Sequence, residues 1–155
     1  MQKINPCLWF EKDLPEVIEY YKNIFNIRNE ENFKVVYLGN KENGPGGEYQ
    51  FATIELFGTK YDMLAAGPSF KFTEAISLTI STEDQEETDY YWNSFTTNGG
   101  AESYCGWCKD RYGLSWQIEP KLLRELSITN DKEKRDFAMN AMFKMKKIVI
   151  KDLTE

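Results

Sequence analysis

Histidine is absent from this sequence of 155 residues. Its absence removes the commonest general base near neutral pH and the commonest protein ligand of transition metals. Mechanisms of the Ser-His-Asp and Cys-His kinds are therefore excluded within one chain. Cysteine is also scarce, and three cysteines, an odd number, fit a reducing compartment without a disulfide framework.

Long apolar runs are missing as well, since none reaches the roughly 18 residues that a transmembrane helix needs. The first six residues lack the charged and apolar regions of a signal peptide, so we expect a cytoplasmic protein. Positive charge is limited: 19 Lys and Arg stand against 25 Asp and Glu, which gives a net charge of −6. A negative field repels phosphate, so we expect neither nucleic acid nor an anionic membrane as a partner.

The first half of the chain predicts a β-α-β-β-β unit. A strand over residues 4–10 precedes a helix with Asp13 as N-cap and Glu16 completing a capping box. The helix carries one apolar stripe, which consists of Leu14, Val17, Ile18, Tyr21, Ile24 and Phe25. Three further strands follow, at 32–38, 49–57 and 60–65.

The second half repeats the first. Residues 20–25 recur as 90–95, an offset of 70, within strand, helix and hairpin patterns in the same order. We therefore predict an α+β fold in which two β-α-β-β-β modules, 1–68 and 69–120, form one domain. Their curved sheets are expected to pair around a cleft, with the helices on the outer faces.

The last segment, residues 121–155, lies outside the repeat. It predicts a short helix at 121–126, a second helix at 131–147 and a short strand at 148–150. The second helix bears an apolar stripe that must be buried; its members are Phe137, Ala138, Ala141, Met142 and Met145. Either the tail packs on its own domain or it packs on a second copy, and we favour a homodimer.

Two smaller features carry competing interpretations. Residues 39–47 predict a polar loop, which is either a plain surface loop or a mobile lid. Cys105 and Cys108 form a C-x-x-C, but the predicted strand at 102–109 does not offer the helix N-terminus that a redox motif uses. We interpret this pair as structural.

Several segments together resemble one family. They are residues 4–10, 67–68, 70–72 with 74–77, 84–87 with 89–92, 105–107 with 109–110, 113–117 and 141–148. The sequence resembles the PhnB-like group of the vicinal oxygen chelate superfamily, which includes glyoxalase I, extradiol dioxygenases and bleomycin-resistance proteins. Members of this group are often labelled 3-demethylubiquinone-9 3-methyltransferase. Because no glycine-rich nucleotide site is visible, methyl transfer from S-adenosylmethionine is not expected.

The resemblance also implies where a metal would bind. The four ligand positions of the superfamily correspond to Asn5, Asp62, Ala75 and Gln117. Alanine cannot ligate, and carboxamides are weak neutral ligands, so one carboxylate and two amides make a poor transition-metal site. We expect no metal and no other cofactor.

The inner faces of the predicted strands still describe a cleft. Its candidate ligand-binding residues are Asn5, Trp9, Asp62, Ser77, Gln117 and Glu119. A small organic ligand bound there without a metal is the function we expect. One alternative is a metal-independent enzyme with Asp62 or Glu119 as an acid–base group; the other is a dimeric structural or interaction protein with a vestigial cleft.

Overall fold

The computed structural model describes residues 1–154, which form two compact units, one over Met1–Lys71 and one from Phe72 onward. Each unit combines at least one helix with a mainly antiparallel sheet, so the predicted α+β class is confirmed. Among the residues described, no helix has the length and apolar character that crossing a membrane requires.

Unit 1 contains one helix and one sheet. Its elements are β1 (Cys7–Phe10), α1 (Leu14–Phe25), β2 (Phe33–Leu38), β3 (Glu42–Gly44), β4 (Gly47–Leu56) and β5 (Thr59–Ala65). The strand order is β1-β5-β4-β2, with β3 pairing β4, and β1 runs parallel to β5. All six residues of the predicted helix stripe are buried, so α1 forms where its 3.6-residue period predicts.

The predicted capping box at the start of α1 is wrong. Asp13 has a left-handed backbone, with φ 58°, and its side chain makes no capping hydrogen bond. Its backbone carbonyl instead accepts hydrogen bonds from the amides of Glu16 and Val17. An N-cap side chain normally acts from an extended backbone, which explains why a good capping residue type does not cap here.

Residues 39–47 are also not the irregular loop that the sequence predicts. Residues Glu42–Gly44 form β3 and pair antiparallel with the start of β4, from Glu42 beside Tyr49 to Gly44 beside Gly47. The glycine- and proline-rich stretch is the turn of a β-ribbon, closed by Gly47 with φ 110°. The segment therefore has a paired strand structure, and its role as a lid stays a prediction.

Unit 2 opens with the same order of elements: β6 (Ser77–Thr82), α2 (Gln85–Thr96), β7 (Ala101–Glu102), β8 (Trp107–Lys109) and β9 (Ser115–Pro120). The strand order is β6-β9-β8-β7, with β6 parallel to β9. Here side chains do cap the helix. The Asp84 carboxylate accepts from the amide of Glu87 at 2.9 Å, as in a capping box, and the Glu87 carboxylate accepts from the amide of Glu83, one residue before the N-cap, at 2.7 Å.

The strand predicted at 102–109 is divided in two. A tight turn separates β7 from β8, with Cys105 at φ 58° and Gly106 at φ 81°. Cys105 therefore lies in the turn and Cys108 in β8, where its side chain is 1% exposed. Neither cysteine stands at a helix N-terminus, in agreement with a structural interpretation of the C-x-x-C.

The internal repeat appears in the packing of the two helices. Tyr21 and Tyr91, which are 70 residues apart, are both buried, and so are Phe25 and Phe95. The ring of Tyr20 lies 5.0 Å from that of Tyr21, and the ring of Tyr90 lies 5.1 Å from that of Tyr91, each pair edge to face. The two modules thus bury matching positions against their own sheets.

The tail of unit 2 differs from the prediction in two places. It forms α3 (Lys121–Ile128), α4 (Lys132–Met142) and a 3-10 helix (Ile150–Leu153). The second helix ends at Met142 rather than near 147, and 148–150 is not a strand. A tail cluster is buried between these elements, and its members are Leu123, Leu126, Ala138, Ile148 and Leu153.

The tail folds back on its own unit. The amides of Cys105 and Gly106 donate to the carbonyls of Met145 and Lys146, at 2.9 and 2.7 Å. The Gln85 side chain bonds the Ile148 carbonyl and the Ile150 amide, at 3.0 and 2.8 Å. Of the predicted stripe, Ala138 is buried and Met142 and Met145 pack against the tail cluster, whereas Phe137 is 39% exposed. The stripe is thus partly covered by its own chain, and the homodimer stays a prediction.

Candidate functional site

One face of the unit 1 sheet packs under α1, and the other carries polar and aromatic side chains. Residues paired in register point to the same side of a sheet. The register therefore defines a polar row, which consists of Cys7, Asp62, Thr53 and Tyr37. Next to it lies an apolar row, which consists of Trp9, Leu64 and Phe51. These two rows include Trp9 and Asp62, two of the predicted ligand-binding residues.

Trp9 is half-buried and held on two sides. Its indole nitrogen donates a hydrogen bond to the carbonyl of Gly67 at 2.9 Å. The ring of Phe70 meets the Trp9 ring edge to face, with centroids 4.9 Å apart. Because its polar atom is already bonded, the indole offers apolar surface to anything that contacts this face.

Asp62 is the carboxylate of the polar row. One of its oxygens accepts a hydrogen bond from the Thr53 hydroxyl at 2.8 Å. The other has no hydrogen-bond partner among residues 1–154 and is not among the atoms shielded from solvent. Partial burial of the Cys7 sulfur and, second, the negative charge of Asp62 raise the pKa of the Cys7 thiol. Cys7 is thus a neutral thiol near pH 7.

Asn5 lies two residues before β1, at the end of the sheet where the amide of Asp62 bonds the carbonyl of Pro6 at 2.9 Å. The side-chain oxygen of Asn5 is buried and has no hydrogen-bond partner in the part of the chain described. A buried acceptor without a donor costs free energy unless a ligand or water supplies one. Such an atom is a candidate contact for a donor group.

The corresponding face of unit 2 is more polar. The amide nitrogen of Gln117 donates to the Ser77 hydroxyl at 2.8 Å, so these two predicted residues contact each other. Gln117 is in register with Thr79 on one side and Trp107 on the other. The Ser115 hydroxyl, two residues earlier on the same face, is buried without a partner among the described residues.

Glu119 is on the same face of β9 but is engaged elsewhere. Its two carboxylate oxygens accept from the Arg124 guanidinium: one bonds Nε, and the other lies 3.2 Å from Nη2. An ion pair of this kind keeps the carboxylate occupied. Glu119 is therefore a weaker candidate for ligand contact or acid–base chemistry than Asp62.

The four positions implied for a metal carry a poor set of donor groups. Asn5 and Asp62 supply one carboxamide and one carboxylate in unit 1, and Gln117 supplies a second carboxamide in unit 2. Ala75 precedes β6, is exposed and has no ligating atom. Within residues 1–154, no three His, Cys, Asp or Glu side chains lie close enough together to hold a metal ion. The residues present do not fit the metal that the superfamily implies.

Strand alternation predicts Trp9, Ser77 and Gln117 as site residues, and the family resemblance implies Asp62, but neither points to their neighbours on β4. Thr53 and Phe51 complete the two rows of unit 1, and their alternation along β4 was a usable signal. The Thr53–Asp62 hydrogen bond depends on the register of β4 with β5, which the sequence alone does not fix. That the six predicted residues line one cleft stays a prediction.

The repeated module, with β1 parallel to β5 and β6 parallel to β9, is the fold of the vicinal oxygen chelate superfamily. Within it, residues 2–119 match the model of the family described as 3-demethylubiquinone-9 3-methyltransferase, and the chain belongs to that family. Among curated proteins, none matches this chain.

Solved structures agree with this assignment. A putative 3-demethylubiquinone-9 3-methyltransferase, PhnB protein, from Bacillus cereus is 29% identical, with a TM-score of 0.64, over 77% of this chain and 99% of its own. The genomically encoded fosfomycin resistance protein FosX from Listeria monocytogenes is 15% identical, with a TM-score of 0.59, over 80% and 94%. A Pseudomonas aeruginosa protein is 14% identical, with a TM-score of 0.57, over 77% and 98%. The last two show likeness of fold.

Proposed function

We propose that this protein binds a small organic ligand without a metal ion, and that the ligand contacts the two rows of the unit 1 sheet. The observation that carries this proposal is the apolar row beside an open carboxylate. Trp9 and Leu64 are half-buried and Phe51 is 37% exposed, although α1 covers only the opposite face of the sheet. Ligand sites combine apolar and aromatic surface with a few placed polar groups in this way.

The donor set supports a metal-free site. The FosX structure from Listeria monocytogenes has been solved with Mn(II) and a phosphonic acid. In this chain the four positions that the superfamily implies for a metal hold an alanine, two carboxamides and one carboxylate. The chain contains no histidine. A neutral carboxamide does not hold a transition metal against water without stronger partners.

Methyl transfer is not part of the proposal, although the family description names it. The connection between β1 and α1, residues 11–13, contains no glycine, and neither does the β6–α2 connection, residues 83–84. Glycine there is what lets a nucleotide cofactor approach the backbone in dinucleotide-binding folds. We propose that the chain binds its ligand without S-adenosylmethionine.

A metal-independent enzyme is the second candidate, and the open oxygen of Asp62 is the observation that favours it. An acid–base group needs an oxygen within reach of the substrate, and the ion pair with Arg124 leaves Glu119 less available. Mass spectrometry of the ligand before and after incubation with the protein distinguishes binding from conversion.

The proposal is tested by native mass spectrometry of freshly purified full-length protein, which should carry a bound organic molecule. Trp9→Leu should reduce the bound fraction because the variant loses aromatic area at the site. Phe143→Leu is the matched control, since Phe143 is a 65% exposed aromatic in the tail. Equal loss in both variants, or no bound molecule together with no binding of the probes described below, would contradict the proposal.

A further inference from the structure

We infer that the ligand is flat and largely apolar and carries a cationic or hydrogen-bond-donating group, which Asp62 binds. This inference rests on the proposed function, because it names the chemical class of the ligand at that site. It follows from three properties of the unit 1 face: which polar atoms are still available, which charges are present, and where the apolar surface lies.

The one charged group in the two rows, the Asp62 carboxylate, is an acceptor. The donors of Trp9 and Thr53 are already used, by the Gly67 carbonyl and by Asp62. The second oxygen of Asp62 is open to solvent and has no donor among residues 1–154. The Asn5 oxygen near the same end of the sheet is buried and has no donor there either, while the Asn5 amide nitrogen remains able to donate. The Tyr37 hydroxyl, on the edge strand, can donate or accept. A ligand that brings donors satisfies these acceptors, whereas a ligand rich in acceptors leaves them unpaired.

The charge in the two rows has one sign. Neither row contains Lys or Arg, and Asp62 is the single carboxylate in them. Lys60 and Lys34 lie on the same face but are in register with Glu55, one row beyond Thr53 and Asp62. A carboxylate or phosphonate placed on the apolar row would meet the charge of Asp62 without a cation in either row.

The apolar surface borders this carboxylate directly. Trp9 and Leu64 follow Cys7 and Asp62 by two residues on their strands, and Phe51 precedes Thr53 by two. Phe70, braced edge-on against Trp9, is 66% exposed and extends the aromatic surface. A flat ring lying on this row brings a substituent to Asp62, and a cationic substituent there forms a charge-assisted hydrogen bond.

Three probes with one ring system test the charge preference on the full-length protein: 1-naphthylmethylamine, which is cationic at pH 7, neutral 1-naphthalenemethanol and anionic 1-naphthylacetate. Ligand-observed NMR titration gives the three dissociation constants. The amine should bind at least about tenfold more tightly than the acetate, the scale of one charge-assisted hydrogen bond. The preference should shrink as salt is added, because the Asp62 carboxylate is partly open to solvent.

Two variants assign that preference to its residue. Asp62→Asn keeps the shape and should bring the amine-to-acetate ratio close to one while changing the affinity of the neutral probe less than about twofold. Glu55→Gln is the matched control, because Glu55 is a carboxylate one row away on the same face. The amine-to-acetate affinity ratio of this variant should equal that of the unsubstituted protein.

The outcomes separate the inference from the proposed function. If all three probes bind and the acetate is equal or tighter, the class inferred here is wrong while small-ligand binding stands. The same holds if Asp62→Asn leaves the ratio unchanged. If no probe binds at millimolar concentration and native mass spectrometry finds no bound molecule, the proposed function itself fails and the inference falls with it.

Discussion

The carboxylate of Asp110 accepts a hydrogen bond from the indole nitrogen of Trp116 at 2.9 Å, and both side chains are buried. The other oxygen of Asp110 accepts from the amides of Tyr112 and Leu114, at 2.9 and 3.2 Å. The Trp116 ring in turn stacks on Phe95 at 4.4 Å. One carboxylate thus joins the β8–β9 turn to the core beneath α2.

Asp110→Asn should destabilise unit 2. An amide group replaces one acceptor oxygen with a donor, so at least one N–H of the three loses its partner in a buried place. We expect the free energy of unfolding to fall by about 2–4 kcal/mol, which urea titration measures. Asp152→Asn, an exposed carboxylate in the tail, is the control and should change it by less than about 0.5 kcal/mol. Equal stability of the two variants would contradict this role.

Gly100 follows α2 at a place where the backbone of two elements comes close. A Cβ added there would lie 1.7 Å from the Phe95 carbonyl oxygen and 2.6 Å from that of Lys109, both backbone atoms that cannot move cheaply. Gly100→Ala should therefore cost more than about 4 kcal/mol or prevent folding, measured by circular dichroism and urea titration. Gly46→Ala, with no atom within 4 Å of the added carbon, should fold with nearly unchanged stability. A folded, stable Gly100→Ala would show that α2 and β8 can separate.

The parts of the fold that the sequence predicts are those with strong periodicity. The α1 stripe falls on six buried positions, and the β4–β5 hairpin turns at Phe57 and Gly58, where Gly58 has φ 80°. The predictions that failed depend on information a local pattern does not contain. The turn residues of the β3–β4 ribbon have the composition of a surface loop, so the sequence does not distinguish the two. The apolar stripe on α4 predicts burial, but it does not predict which surface buries it.

The candidate site likewise has features that the sequence predicts and features that it does not. Alternation along β1 and β5 places Trp9 and Asp62 on the side opposite the helix. The bond between Asp62 and Thr53, and the unpaired oxygen of Asn5, depend on register and on exact burial, so the sequence does not predict them. Alternation along β9 predicts Glu119 as a site residue but does not predict its ion pair with Arg124, which lies in the first turn of α3.

The three cysteines should differ in reactivity. Burial, and second the nearby charge of Asp110, raise the pKa of Cys108 to about 12, so its thiol stays protonated near pH 8 and is shielded. Peptide mapping after brief iodoacetamide treatment of the folded protein should find Cys7 labelled and Cys108 unlabelled. All three should be labelled in urea, which is the control. Equal labelling of Cys108 and Cys7 in the folded protein would contradict the buried position.

The raised pKa of Cys108 also makes the stability of the folded protein depend on pH. Between the ordinary thiol value of 9.0 and the folded value of about 12, the folded state binds more protons at Cys108 than the unfolded state. Stability from this group is therefore complete below about pH 9 and declines as the pH rises above it. Cys108→Ala should lessen that decline in urea titrations between pH 8 and 10.5, and an unchanged decline in the variant would contradict this origin.

Metal and S-adenosylmethionine should both be absent from the working protein. Elemental analysis after dialysis should find well below one Zn, Ni, Fe or Mn per chain, because Ala75 and two carboxamides replace strong ligands. Isothermal titration with S-adenosylmethionine should give no heat of binding at micromolar concentrations. One metal per chain, or micromolar affinity for S-adenosylmethionine, would contradict the metal-free and methyl-transfer parts of the proposal respectively.

The tail provides the last prediction, because its burial and the homodimer can now be tested separately. Ile148 is fully buried in the tail cluster, so Ile148→Ala should lower the free energy of unfolding by about 2–4 kcal/mol. Ile128→Ala is the control, since Ile128 is 73% exposed in the same tail, and it should change stability by less than about 0.5 kcal/mol. Light scattering of the full-length protein should give about twice the 18.2 kDa chain mass if the predicted homodimer forms. Because Ile148 is covered by its own chain, Ile148→Ala should leave that mass unchanged; a variant of unaltered stability and halved mass would instead place the tail between two copies.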